Sequence, residues 1–191
     1  MDNVKLEAPG KGLPFLESLL MRFYVGPVLS KKDSSDKNWE RFDKMNKKIL
    51  EKVKELSLEQ MHTRVLVPRL RAIEDSSRYW SVAETLEHIE LVGDNIAGLI
   101  ELLCKNEVPD VVVDVADYKP KGKYSGVDPR PAFEKFNTRV QEQLKAKDIT
   151  LHAPLFKHPW MGEISALQWL WLLSGHSGIH YNQIKCIIKA L

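Results

Sequence analysis

Between residues 38 and 56 the apolar positions Trp39, Phe42, Ile49, Val53 and Leu56 recur at helical spacing, with lysine and glutamate filling the other faces. This pattern predicts a first long helix. A second is predicted over 82–104, because "SVAE" places Ser81 and Glu84 as the two partners of a capping box that satisfies orphan N–H groups at a helix start. Asp128 and Pro129 supply an N-cap and a first-turn proline for a third helix to about 146, with Phe133, Phe136, Val140 and Leu144 inward. Ser165 and Gln168 in "SALQ" repeat the capping box after the turn "HPWMGE", and a fourth helix runs from there to the C-terminus. Four helical patterns without sustained strand alternation predict an all-α fold, a four-helix bundle with long connecting loops.

The connections are unusual in length. Residues 57–80 mix a proline, β-branched residues and turn formers, which predicts an ordered connection with a short strand at 64–67. Residues 106–128 make a second long loop, whose valine run suits a short extended piece. The polar stretch "LSKKDSSDKN" at 29–38 sets off an N-terminal extension, residues 1–37, from a bundle domain over 38–191. Within the extension, "LPFLESLLMRFYVGPVL" is apolar enough to need cover from this chain or from a second copy, so a homodimer is a candidate assembly.

Composition narrows the function classes. With 28 Lys+Arg against 26 Asp+Glu the net charge is +2, and no basic stripe argues for nucleic acid. No run reaches the roughly 18 apolar residues of a membrane span, and the start lacks the charged and apolar regions of a signal peptide. A cytoplasmic protein without a membrane partner is expected. Cys104 and Cys186 lie inside predicted helices without zinc-type spacing, which predicts buried free thiols.

The chemistry lies in the histidines. His176 and His180 are four residues apart and share a helical arc with Trp169, Leu172, Leu173, Ile179, Gln183, Ile184 and Ile187. On the second helix His88 shares an arc with Leu91, Val92, Leu99 and Leu103. A buried imidazole left without a partner costs about 1 to 3 kcal/mol, so each must be hydrogen-bonded, charged at a cost, or liganded. Three inward imidazoles from two neighbouring helices match a catalytic type of zinc site with an open fourth position; the alternative is that one or more satisfies polar groups in the core. Asn95, two turns beyond His88, and Gln183, one turn beyond His180, are candidates to orient a ligand or to bond within the bundle. His62 and His152 fall in connections, and His158 reads as a turn stabiliser. Gly175 and Gly178 flank His176, which predicts close approach of a backbone or a bound group, or tight helix packing. Tyr118 and Tyr124 read as anchors of the long loop.

Taken together, "RYWSVAETLEHIE", "HPWMGEISALQWL" and "HSGIHYNQI" resemble three signature stretches of the DinB-like superfamily, related to the YfiT-type proteins, over roughly residues 38–190. The resemblance implies a four-helix bundle in which one histidine of the second helix and two of the last bind a divalent metal, at positions matching His88, His176 and His180. Zinc is the expected ion, with nickel, iron or manganese as alternatives. The family includes thiol-dependent S-transferases using bacillithiol- or mycothiol-type cofactors, maleylpyruvate isomerases and many proteins of unknown role. The expectation is therefore a metal-dependent S-transferase acting on a small molecule with a low-molecular-weight thiol. A metal-dependent hydrolase and a non-catalytic, dimerising metal-binding bundle are the alternatives.

Overall fold

The computed structural model describes residues 5–151 and 154–191, so His152 lies outside the described residues. In chain order the helices are α1 (Phe15–Leu20), α2 (Ser35–Val53), α3 (Leu58–His62), α4 (Val82–Cys104), α5 (Arg130–Leu144) and α6 (Ala166–Ala190). The strands are β1 (Val65–Leu66), β2 (Tyr79–Trp80), β3 (Phe156–His158) and β4 (Gly162–Ile164), paired antiparallel as β1–β2 and β3–β4.

Local chemistry sets the helix starts. At α4 the Ser81 hydroxyl accepts from the Glu84 N–H at 3.2 Å and the Glu84 carboxylate accepts from the Ser81 N–H at 2.9 Å, and the helix covers the predicted span. At α6 Gln168 Oε1 accepts from the Ser165 N–H at 3.0 Å. Other boundaries differ from expectation. Helix α2 starts inside the polar stretch, at Ser35 behind an Ser34 cap, and ends at Val53, which leaves Leu56 beyond it. Helix α5 begins at Arg130, one residue after the expected proline, with the Asp128 carboxylate accepting from the Arg130 N–H at 3.0 Å, and it ends at Leu144.

The connections hold more structure than their composition suggests. The capping box of Ser57 and Gln60 opens the short helix α3 inside what the sequence predicts only as an ordered connection. The strand expected at 64–67 is the two-residue β1. The "HPWMGE" turn closes a β-hairpin, where Gly162 takes a left-handed φ of +81°. The valine run of the long loop pairs with no strand among the described residues, and after it the loop makes a 3₁₀ turn over Val115–Tyr118.

Helices α2, α4, α5 and α6 form the bundle, with α6 between α2 and α4, and α5 packed on the other sides of those two. Phe42, Ile49, Leu86, Phe133, Phe136 and Leu170 are fully buried at its centre, each contributing about 1.5 to 3 kcal/mol of apolar transfer energy. Contacts between α4 and α6 pair His88 with His176 and Gly93 with Leu173, so the two helices run antiparallel. The extension lies against the bundle: Gln168 Nε2 donates to the Gly26 carbonyl and to Ser30 Oγ, both at 2.8 Å, and the Glu74 carboxylate accepts from the Gly12 N–H at 2.8 Å. Its Phe15, Leu16 and Phe23 side chains remain exposed. Among the described residues no helix is long and apolar enough to cross a membrane. Cys104 and Cys186 are half-buried free thiols rather than fully buried ones.

The glycines divide differently from expectation. A Cβ at Gly175 meets nothing within 4 Å, and one at Gly178 touches only Met45, whereas one at Gly93 falls 2.4 Å from Cζ of the fully buried Phe136. Close approach is thus a property of Gly93, which allows α5 to pack on α4. Gly93→Ala should destabilise the fold by about 1 to 3 kcal/mol through overpacking. Gly175→Ala should instead stabilise it by up to about 1 kcal/mol by removing backbone freedom from the unfolded chain. Urea denaturation of the two variants checks both signs.

Candidate metal centre

Seven residues into α4, His88 points into the space between α4 and α6, where His176 and His180 stack one turn apart on the facing helix. Ring centroids are 5.0 Å apart for His88 and His176, 4.6 Å for His88 and His180, and 4.5 Å for His176 and His180. One ring nitrogen from each lies within 4.8 Å of the others, and together the three can hold a metal ion. The sequence placed these residues on inward arcs; the fold brings the arcs face to face.

Outer partners decide which nitrogens are free. His88 Nδ1 donates to the Tyr118 carbonyl at 2.6 Å, and His180 Nδ1 donates to Gln183 Oε1 at 2.7 Å. Both acceptors lack a proton to give, so Nδ1 carries hydrogen in each ring and Nε2 keeps its lone pair. Gln183 is itself fixed, because its Nε2 donates to the Ser77 carbonyl at 2.7 Å. The His88 and His176 Nε2 atoms approach to 3.2 Å, a distance at which two lone pairs repel unless a proton or a cation lies between them.

The long loop supplies this support and is itself tied down. The Glu87 carboxylate accepts from the N–H groups of Lys121, Gly122 and Lys123 at 2.6, 3.1 and 3.0 Å. Beside it Glu90 accepts from the Tyr124 hydroxyl, and burial and this carboxylate push the phenol up to about 12. Lys119 meets Glu74 at 2.6 Å and Ser77 Oγ at 2.8 Å, with its ammonium 5.7 Å from the Trp80 ring centroid. Burial opposes charge on Glu74, but Lys119 and the Gly12 and Gly10 amides hold its carboxyl below the ordinary value. Trp80 covers the histidines, stacked 6.2 Å from His180 and tilted 5.0 Å from His88.

Electrostatics favour ligation. Burial lowers the basicity of all three imidazoles, to about 4 for His180, and the adjacent His180 lowers His88 and His176 further. They are neutral near pH 7 and need not lose a proton to bind a cation. Tetrahedral zinc holds its nitrogen ligands about 3.3 Å apart at a Zn–N distance near 2.05 Å, so the 3.2 Å approach of His88 and His176 suits the ion. The donor set fits.

The histidines open into a cavity of about 580 Å³ between α4, α6, the long loop and the β3–β4 hairpin. Asn95 stands exposed at its rim, with its amide donating to the Leu91 carbonyl at 2.7 Å. His158 also borders it, and its Nδ1 accepts from the Trp160 and Met161 N–H groups at 3.1 Å, the turn-stabilising role expected of it. Trp169 contributes a buried indole N–H without an acceptor among the described residues. His62 lies elsewhere, bonded to the Val127 carbonyl at 2.9 Å. Sequence reasoning missed the Tyr118 and Ser77 carbonyls, which carry no side-chain signal, and the buried Glu87 and Glu90.

No protein-family model matches the chain, and no curated protein matches it. Among solved structures it is similar to TT2238, a four-helix bundle protein, with a TM-score of 0.50 and 20% identity over 80% of this chain and 98% of that one. This likeness shows the bundle fold.

The purified chain should take up one equivalent of zinc or cobalt. His176→Ala should abolish uptake, and Gln183→Ala should weaken it by about 10- to 100-fold, because the His180 tautomer loses its partner; isothermal titration calorimetry reads both. A second expectation concerns pH in the metal-free chain. His180 and His158 are each held near 4 against an ordinary 6.5, so between those values the unfolded chain binds protons that the folded chain does not. Stability should be highest above pH 6.5 and should fall as pH drops toward 4. Melting temperatures measured across that window check the sign.

Proposed function

We propose that this chain is a DinB-like, metal-dependent S-transferase. Its His88, His176 and His180 would hold a divalent ion, zinc first, beside a thiol and a small-molecule substrate. The observation that carries the reading is the convergence of three neutral imidazoles, two with their Nδ1 atoms engaged by outer partners, at a large and mostly apolar cavity. The sequence stretches around these histidines support the same family.

A bound divalent ion would supply the positive charge that favours the thiolate form of a thiol at neutral pH. Because the three ligands are uncharged, the protein does not offset that charge with carboxylates at the first contact. Glu74, a buried carboxylate that lines the cavity, is already neutralised by Lys119. The S–H proton passes to water. The sulfur lone pair then forms a C–S bond at the electrophilic carbon of the substrate while the bond to the leaving group breaks, and the leaving group departs with that pair. Trp80 and the Tyr118 segment cover the histidines on one side, so a thiol would approach from the cavity.

The test is spectroscopic. With cobalt loaded, 2-mercaptoethanol should produce an intense sulfur-to-metal charge-transfer band, and His88→Ala should lose both cobalt and band. Full cobalt loading with no thiol response would instead favour hydrolysis by activated water or a non-catalytic bundle.

A further inference from the structure

The wall of the cavity has a length and a polarity that the three-histidine chemistry does not use. Along α4 its wall includes His88, Val92, Ile96, Leu99 and Leu102, successive positions three or four apart on one face, with Asp94, Asn95 and Gly98 beside them. The fourteen steps from His88 to Leu102 span about 21 Å at 1.5 Å each. The antiparallel α6 faces them with Ile179, Leu172 and Trp169, and Val111 and Val113 of the long loop close the outer side. The histidines therefore occupy one end of an elongated apolar channel.

Charges in this wall are matched internally. Glu74 pairs with Lys119 at 2.6 Å, and Asp94 pairs with Arg139 at 2.7 Å. The wall thus offers no unpaired charge, among the described residues, to meet a phosphate, carboxylate or ammonium on a ligand. A charged ligand segment would be desolvated there without compensation, whereas an uncharged hydrocarbon chain would lose only its contact with water.

We infer that the channel binds the straight, uncharged aliphatic chain of a substrate whose polar head lies at the histidines. This deepens the proposed function and rests on it only for the identity of the head group. Affinity for an aliphatic ligand then rises with chain length until the channel is filled. At about 0.8 kcal/mol for each buried methylene, the rise is about fourfold per carbon.

The full-length chain, before and after cobalt loading, is titrated with the uncharged fluorophore N-phenyl-1-naphthylamine. The fluorophore is then displaced by straight-chain thiols from ethanethiol to dodecanethiol. The expected result is tighter displacement by about fourfold per methylene in both forms. Leu99→Arg puts a cation about three-quarters of the way from His88 to Leu102 at a partly buried position; it should flatten the long end of the series while leaving cobalt uptake and ethanethiol affinity unchanged. Displacement that does not depend on chain length in the unaltered protein overturns the inference, whatever the variant does. Failure of the metal reading looks different: cobalt does not bind, yet the dependence on chain length persists.

Discussion

The hydrogen bond from His88 Nδ1 to the Tyr118 carbonyl is the contact on which the site depends. It joins a bundle helix to a loop that is otherwise outside the bundle, and it fixes which nitrogen of His88 faces the other two histidines. Everything around it restrains the carbonyl. Glu87 gathers three consecutive backbone N–H groups just beyond Tyr118, and Lys119 is held by Glu74 and Ser77. Ser77 in turn receives Gln183, which orients His180. The two fixed imidazoles therefore share one network, and the loop conformation and the tautomers are set together.

Such a network is expensive in a protein interior. Three buried carboxylates, Glu74, Glu87 and Glu90, are taken from water, and each is stable there only because it accepts several hydrogen bonds or meets a cation. A plain bundle could fill this volume with leucine at lower risk. The buried carboxylates gather around α4 and the two long loops, while the α2–α5 side packs Phe42, Phe133 and Phe136 around a buried Asn46–Asn137 hydrogen bond of 3.0 Å.

How much was legible in the sequence follows from the range of each signal. Helix α4 was read to the residue because its capping box is local and its arc is long. The three histidines were found for the same reason, since helical spacing alone places them inward. Helix α3 carries the same Ser-x-x-Gln signature but is too short for periodicity to show, and the three-residue strands of the hairpin are shorter still. Asn95 shares the arc of His88 but lies where the cavity opens to solvent, a distinction that depends on the neighbouring helix. The Tyr118 carbonyl was invisible, as any backbone acceptor is, and Gly93 was overlooked because its need for space arises from Phe136, more than forty residues away.

The tethering of Tyr118 bears on how molecules enter. The segment that roofs the channel, Pro109 to Val113, belongs to the same loop but precedes the Asp114 side chain, which caps the following turn by accepting from the Ala116 N–H at 2.8 Å. Val112 at the middle of that roof is 96% exposed and packs on nothing. The loop is thus divided into a loosely held stretch and a clamped one, with Asp114 as the joint. A displacement of the first stretch alone would leave the His88–Tyr118 contact in place. Opening of the cavity and retention of an ion at the histidines would then meet separate barriers, so a change at one need not disturb the other.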